Sequence, residues 1–209
     1  MNQPLRKPNS VFTYTDYSRW PNDERWELIN GEAYAMAGPS RIHQTVVGEL
    51  FVQISLFLRG KPCRPFIAPF DVRLPDRQEA DDEVITVVQP DISVICNPDQ
   101  LDERGCRGAP DWIIEVLSPA TAARDQIEKL AAYERAGVRE YWLVHPTDHI
   151  VTIYPLNASR RYDKPTIYPT TGTLASGLFP ELLIDWELVF TDAATANPSN
   201  GPAKSSTST

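Results

Sequence analysis

The run Trp112-Ile113-Ile114-Glu115-Val116-Leu117 constrains this chain more than any other stretch. Its aromatic and β-branched residues read as a buried strand. A carboxylate inside such a strand is costly to bury unless it is paired or binds a cation. A second acid, Asp91, stands in Gln89-Pro90-Asp91-Ile92-Ser93-Val94-Ile95, another apolar β-type run. Arg124-Asp125-Gln126-Ile127-Glu128-Lys129-Leu130-Ala131-Ala132-Tyr133 follows as a helix carrying a lysine. Two acids on neighbouring strands with an ammonium nearby are the minimum parts of a Mg²⁺ phosphodiester-cleaving site.

Little else points to chemistry. The sequence has no G-x-x-x-x-G-K-[ST], no G-x-G-x-x-G and no G-x-S-x-G. Cys63, Cys96 and Cys106 are widely separated, odd in number and without zinc spacing. They predict no disulfide framework, and a reducing cytoplasm is the simpler reading. The start, Met1 to Asn9, is polar without an apolar h-region, and no run is long enough to span a bilayer, so a soluble, cytoplasmic protein without a membrane partner is expected. The net charge of −8 argues against a general nucleic-acid coat protein. It does not exclude DNA chemistry, because bound metal supplies positive charge locally. The acid-rich stretch Asp71 to Val84 reads as a solvated loop.

The 209 residues suffice for one domain with a sizeable core, and the 19 prolines favour turns and strand ends over long helices. We expect a loose N-terminal arm over 1–14, one domain over 15–190 and a disordered tail over 191–209. Thr15 or Asp16 predicts the start of a short helix. Asn30-Gly31 predicts a hairpin within Arg25–Ala37. The apolar stripe from Ile42 to Leu58 predicts a helix capped by Ser40 and stopped near Gly60 and Pro62. Strands are expected over 66–74, 84–96 and 112–117, then a helix from Ser118 to Ala136 ended by Gly137. Further strands are expected at 141–144 and 150–154, with shorter ones between Ile167 and Val189. This order describes an α/β chain with a mixed sheet.

Six motifs carry a family resemblance: W-E-L-I-N-G-E at 26–32, P-S-R-I-H at 39–43, Q-P-D-I-S-V-I at 89–95, A-P-D-W-I-I-E-V-L-S-P at 109–119, R-D-Q-I-E-K-L-A-A-Y at 124–133 and A-G-V-R-E-Y-W-L-V at 136–144. In this order they resemble the Uma2 family of endonucleases, within the PD-(D/E)XK superfamily, over about 20–190. The resemblance implies a restriction-endonuclease-like αβββαβ core, a central mixed β-sheet flanked by helices. It also implies Mg²⁺- or Mn²⁺-dependent cleavage of DNA, by an enzyme that commonly acts as a homodimer. On its terms Asp91 matches the metal-binding aspartate and Glu115 the acid of the (D/E)-x-K motif. Leu117 departs from the pattern, which places lysine there, and Lys129 replaces it from the next helix. His43 is a further catalytic candidate, and Glu32 a further metal ligand, with Glu27 and Glu49 as alternatives to it.

Each residue also has a plainer reading. Pro-Asp is a common turn dipeptide. Glu115 would equally be satisfied by an interior arginine, and Lys129 by Asp125 at i,i+4 on a solvated helix face. His43 would serve as a capping or polar contact at a helix start. Asp111 and Ser118 read as turn and helix-start residues, although Ser118 could touch substrate. His145 and His149 have no metal-ligand spacing, and Trp112, Tyr133, Tyr141, Trp142 and Tyr154 read as core. The leading expectation is a Mg²⁺-dependent DNA endonuclease. The alternatives are a non-catalytic nuclease-fold protein that binds a nucleic acid or protein, and a metal-dependent hydrolase of another substrate.

Overall fold

Asn30 (φ 50°) and Gly31 (φ 78°) both take left-handed backbone conformations, as a two-residue type I′ hairpin requires. They join β1 (Trp26–Ile29) to β2 (Glu32–Ala35) as the Asn-Gly dipeptide predicts. The structure, a computed structural model, describes residues 11–21, 24–76 and 79–190. The expected tail and most of the expected N-terminal arm lie outside the described residues. Before the hairpin, α1 (Tyr14–Tyr17) begins earlier than expected. Thr13 is its N-cap, with the Thr13 amide donating to Asp16 Oδ2 at 3.1 Å. After the hairpin, α2 (Arg41–Leu58) starts as its sequence implies, with Ser40 Oγ accepting from the His43 amide at 3.3 Å.

The remaining strands are β3 (Arg64–Ile67), β4 (Val72–Arg73), β5 (Val87–Val88), β6 (Ile92–Ile95), β7 (Leu101–Asp102), β8 (Gly105–Arg107), β9 (Trp112–Val116), β10 (Glu140–His145), β11 (Ile150–Pro155), β12 (Thr166–Pro169), β13 (Thr173–Ala175) and β14 (Leu183–Asp185), before α5 (Trp186–Val189). The mixed α/β character is as expected, but there are two six-stranded sheets, not one. One has the order β2-β1-β5-β4-β8-β7, the other β12-β11-β10-β9-β6-β3, and β13 pairs with β14 separately. The segments 66–74 and 84–96, each read as one strand, divide between the sheets. The divisions fall at Pro69 and Pro90, which lack the N–H that a continuous ladder uses. Asp91 therefore lies in the crossover from β5 to β6.

Strand β9 pairs antiparallel with β6 (Ile92↔Ile114) and parallel with β10 (Glu115↔Leu143). Side chains alternate across a strand. Trp112, Ile114 and Val116 accordingly pack with α2, Trp142 and Trp186 in one core layer. Ile113 faces the other layer, with Tyr133 and Tyr141. Glu115 shares that second face, which is why a helix packed there can reach it.

The segment 118–136 is not the continuous helix its sequence suggests. It divides into α3 (Ala122–Arg124), a π-helical turn (Asp125–Lys129) and α4 (Leu130–Ala136), closed by Gly137 at φ 95°. A π-turn adds a residue to the turn and re-aims the side chains on it, and such turns recur at functional sites. Asp125 and Lys129 on this turn are only 2% and 3% exposed, so the solvated-face reading of Lys129 is corrected.

Two other expectations are overturned. Cys63 and Cys96 are disulfide-bonded, with Cα atoms 3.9 Å apart. The β3–β6 register pairs Arg64 with Ile95 and so sets the two cysteines facing each other, a non-local pairing that spacing does not reveal. The stretch 71–84 is not simply a solvated loop either. Arg73 within it is fully buried, forming ion pairs with Asp81 and Asp102 at 2.7 Å each.

Glu140, at the start of β10, gives a pH prediction. It is 2% exposed, and its Oε1 accepts from Trp142 Nε1, Ser176 Oγ and the Gly177 amide. Burial pushes its carboxyl above the usual range, although those donors oppose the shift. A raised folded-state pKa contributes stability that is complete below the unfolded carboxylate value and is lost as pH rises through the folded value. Glu140→Gln is therefore expected to show a flatter stability–pH profile than wild type between mildly acidic and neutral pH. Urea midpoints measured across that range check it, and parallel profiles would contradict it.

Candidate active site

Glu115 is 3% exposed, and its Oε1 accepts from Lys129 Nζ at 2.9 Å and from Tyr133 OH at 2.8 Å. Its other oxygen, Oε2, lies 3.4 Å from the Asp91 amide. Asp91 Oδ2 in turn accepts from the Val116 amide at 2.8 Å and pairs with His43 Nε2 at 3.1 Å. Each acid is thus fixed partly by the backbone beside the other, a consequence of the β6–β9 register.

Lys129 sits at the centre of an acidic cluster. Its Nζ lies 2.7 Å from Glu27 Oε1, 2.9 Å from Glu115 Oε1 and 3.4 Å from Asp125 Oδ1. Glu27, on β1, is 1% exposed and also accepts from the Gln89 amide at 2.9 Å. Arg124 Nη1 stands 3.6 Å from Glu27 Oε2, and its guanidinium lies 4.4 Å over the Tyr34 ring. Glu27, Glu115, Arg124, Asp125 and Lys129 line a cleft of about 350 Å³ whose walls also include His43 and Ser118.

The electrostatics follow from four carboxylates enclosed with few cations. Burial drives the Glu115 carboxyl well above its usual range; Lys129 opposes this, while Asp125, Asp91 and Glu27 add to it. Burial also raises Asp125, again against Lys129. For Lys129, burial favours the neutral amine, yet Glu115, Glu27 and Asp125 together hold the ammonium well above its ordinary value. Burial and Glu115 push the Tyr133 phenol well up, so it stays a donor. At His43 burial disfavours the charge, but the hydrogen bond and charge of Asp91 outweigh it and raise the imidazole.

Asp91, Glu115, Lys129 and His43 are therefore brought together. Glu32 is not: it sits on β2, accepts from Tyr34 OH at 3.1 Å and is absent from the cleft wall, as is Glu49 on α2. Glu27, weighed only as an alternative, holds the inner position. Its signal was available, since Trp26-Glu27-Leu28-Ile29 buries an acid in an apolar strand as the Glu115 run does. Asp125 was read only as a surface partner of Lys129, and Arg124 and Gln89 were missed. The partner of Glu115 is a lysine and a tyrosine, not an interior arginine. Ser118 Oγ contacts Thr121 Oγ1 at 3.1 Å, in keeping with its helix-start reading. Asp111 binds the Cys96 amide and Arg139 at the other end of β9.

Residues 14–187 match the Uma2 family, described as "Putative restriction endonuclease". The chain belongs to the Uma2 family. It is 27% identical over 145 residues to "Uncharacterized protein slr1290" of Synechocystis sp. (strain ATCC 27184 / PCC 6803 / Kazusa), covering 68% of this chain and 73% of that protein. Its fold is similar to a crystal structure described as "a putative nuclease belonging to DUF820" from Anabaena variabilis ATCC 29413. The TM-score is 0.69 at 19% identity, over 86% of this chain and 98% of the other. The expected nuclease-like fold class is thereby established, and the Uma2 family is described by nuclease activity. No helix among the described residues is long and apolar enough to cross a membrane.

Among the described residues, no three His, Cys, Asp or Glu side chains form a ready metal cage in this Uma2 chain. Glu27, Glu115 and Asp125 converge on Lys129 instead. The donor chemistry nonetheless fits a hard divalent cation at Asp91 and Glu115. Both supply carboxylate oxygens, the preferred ligands of such ions, and both line the same cleft, with Glu115 Oε2 turned toward Asp91.

Proposed function

We propose that this Uma2 chain is a Mg²⁺- or Mn²⁺-dependent endonuclease that hydrolyses DNA phosphodiester bonds. The supporting observation is the ammonium of Lys129 held 2.9 Å from Glu115 Oε1, in the cleft that Asp91 and Glu115 share. Asp91 and Glu115 would hold the ion. When bound, such an ion supplies polarisation of the scissile phosphate and a coordinated water of lowered pKa.

The side chains supply the rest. Lys129 is kept charged by Glu115, Glu27 and Asp125 and fixed in place, so it can stabilise negative charge growing on the phosphate without reorganising. Tyr133 holds one oxygen of Glu115 and leaves Oε2 toward Asp91. His43 fixes Asp91 through Oδ2, and Asp91 in turn favours the charged imidazole.

Calorimetric titration with Mg²⁺ and Mn²⁺ tests the metal. Wild type is expected to bind at millimolar or lower concentration and Glu115→Gln to lose at least tenfold in affinity; a wild type that binds neither ion overturns the reading. A plasmid-nicking assay tests the substrate, with Asp91→Asn as control, and nicking that survives this substitution points elsewhere. The second reading, a non-catalytic nuclease-fold protein binding a nucleic-acid or protein partner, draws on one observation: Lys129 already occupies the meeting point of three carboxylates. Metal binding without cleavage of plasmid DNA or RNA would favour it.

A further inference from the structure

Two guanidinium groups line the cleft without a role in the chemistry above. Arg124 is 10% exposed, and its Nη1 is buried with no hydrogen-bond partner among the described residues. Among the described residues the acid within ion-pair range is Glu27, whose Oε2 is 3.6 Å away, too far for a hydrogen bond. Glu27 is already matched by Lys129 at 2.7 Å. The Arg124 guanidinium carbon lies 4.4 Å over the Tyr34 ring, a cation–π contact that uses none of its N–H donors. Arg25 lines the same cleft, and Nε and Nη2 donate to Gln89 Oε1 at 3.0 and 2.7 Å. That acceptor is a neutral amide, so no carboxylate among the described residues cancels the Arg25 charge. Gln89 is itself held by Tyr17 OH and Asp71 at 3.1 and 2.9 Å, which fixes where Arg25 points.

A guanidinium fork with unused donors in a cleft matches the non-bridging oxygens of a phosphodiester. We propose that Arg124 and Arg25 are the phosphate-binding residues of this cleft. Arg124 grips the phosphate beside Lys129, and Arg25 grips a neighbouring phosphate of the same strand. This rests on the nuclease reading and deepens it: the two cations offset, where the substrate lies, an overall charge that disfavours DNA.

The test is binding of a short fluorescently labelled DNA duplex by anisotropy at increasing salt, with Ca²⁺ in place of Mg²⁺. Log affinity falls with log salt by about 0.9 per phosphate neutralised. Arg124→Ala and Arg25→Gln are each expected to weaken binding and to lower that slope by about one unit. Arg139→Ala, at the far end of β9 and paired with Asp111, is expected to keep the wild-type slope. Arg124→Lys keeps the charge but loses the fork, so it should hold the slope while binding several-fold more weakly; it also serves should Arg124→Ala fail to fold. A wild-type slope in both Arg124→Ala and Arg25→Gln overturns the arginine proposal and leaves the nuclease reading standing. A wild type that binds no DNA brings down both.

Discussion

Lys129→Met is expected to destabilise the fold by about 3–5 kcal/mol above neutral pH, the range seen when one partner of a buried ion pair is removed. Methionine fills much of the same volume with a flexible apolar chain, so the loss is chiefly electrostatic. Glu27, Glu115 and Asp125 would remain at 1–3% exposure with no ammonium among them. The sign of the pH dependence follows. Without Lys129 the Glu115 and Asp125 carboxyls rise further and take up protons as pH falls, so the deficit shrinks in acid. Urea unfolding of both proteins at acidic and alkaline pH measures this. A deficit of under about 1 kcal/mol at every pH would mean that the cluster behaves as a solvated surface pair, and the site as described would be wrong.

Glu115→Gln should separate chemistry from folding. The amide oxygen can still accept from Tyr133 OH and Lys129 Nζ, so Tm should move little compared with Lys129→Met. The carboxylate charge is lost, however, and with it the cation's anchor. A metal supplies several kcal/mol of transition-state stabilisation, and each ~1.4 kcal/mol is tenfold in rate. Plasmid nicking is therefore expected to fall by roughly a thousandfold. Single-turnover cleavage at saturating Mg²⁺ checks it, and a fall of less than about tenfold would remove Glu115 from the reaction.

The part of this site most legible from the residues alone is a carboxylate whose immediate neighbours force its burial. Glu115 declares itself because five apolar residues surround it, and Glu27 would have done so by the same reasoning. The hairpin at Asn30-Gly31 and the Ser40 cap were legible because turn and cap chemistry is local. Glu32 was misplaced because the hairpin identifies the turn but not which of its acids faces the cleft. Lys129 was ambiguous because an i,i+4 partner on a continuous helix predicts a solvated pair. The π-turn sets it against Glu27 and Glu115, which come from distant parts of the chain.

By itself, then, the sequence determined that Glu115 would be buried in a strand and would need positive charge, since propensity and desolvation act on neighbours along the chain. It also determined the mixed α/β class and the helix that carries the lysine. Only the tertiary structure decided which cations answer that acid. The split of 84–96 at Pro90 placed Asp91 between two sheets, and the β6–β9 register set it beside Glu115. The packing of the π-turn drove Lys129 into three carboxylates and left Arg124 with donors to spare. The same long-range pairing joined Cys63 to Cys96. Pairings across tens of residues are fixed by how whole faces bury, and no window of the sequence contains them.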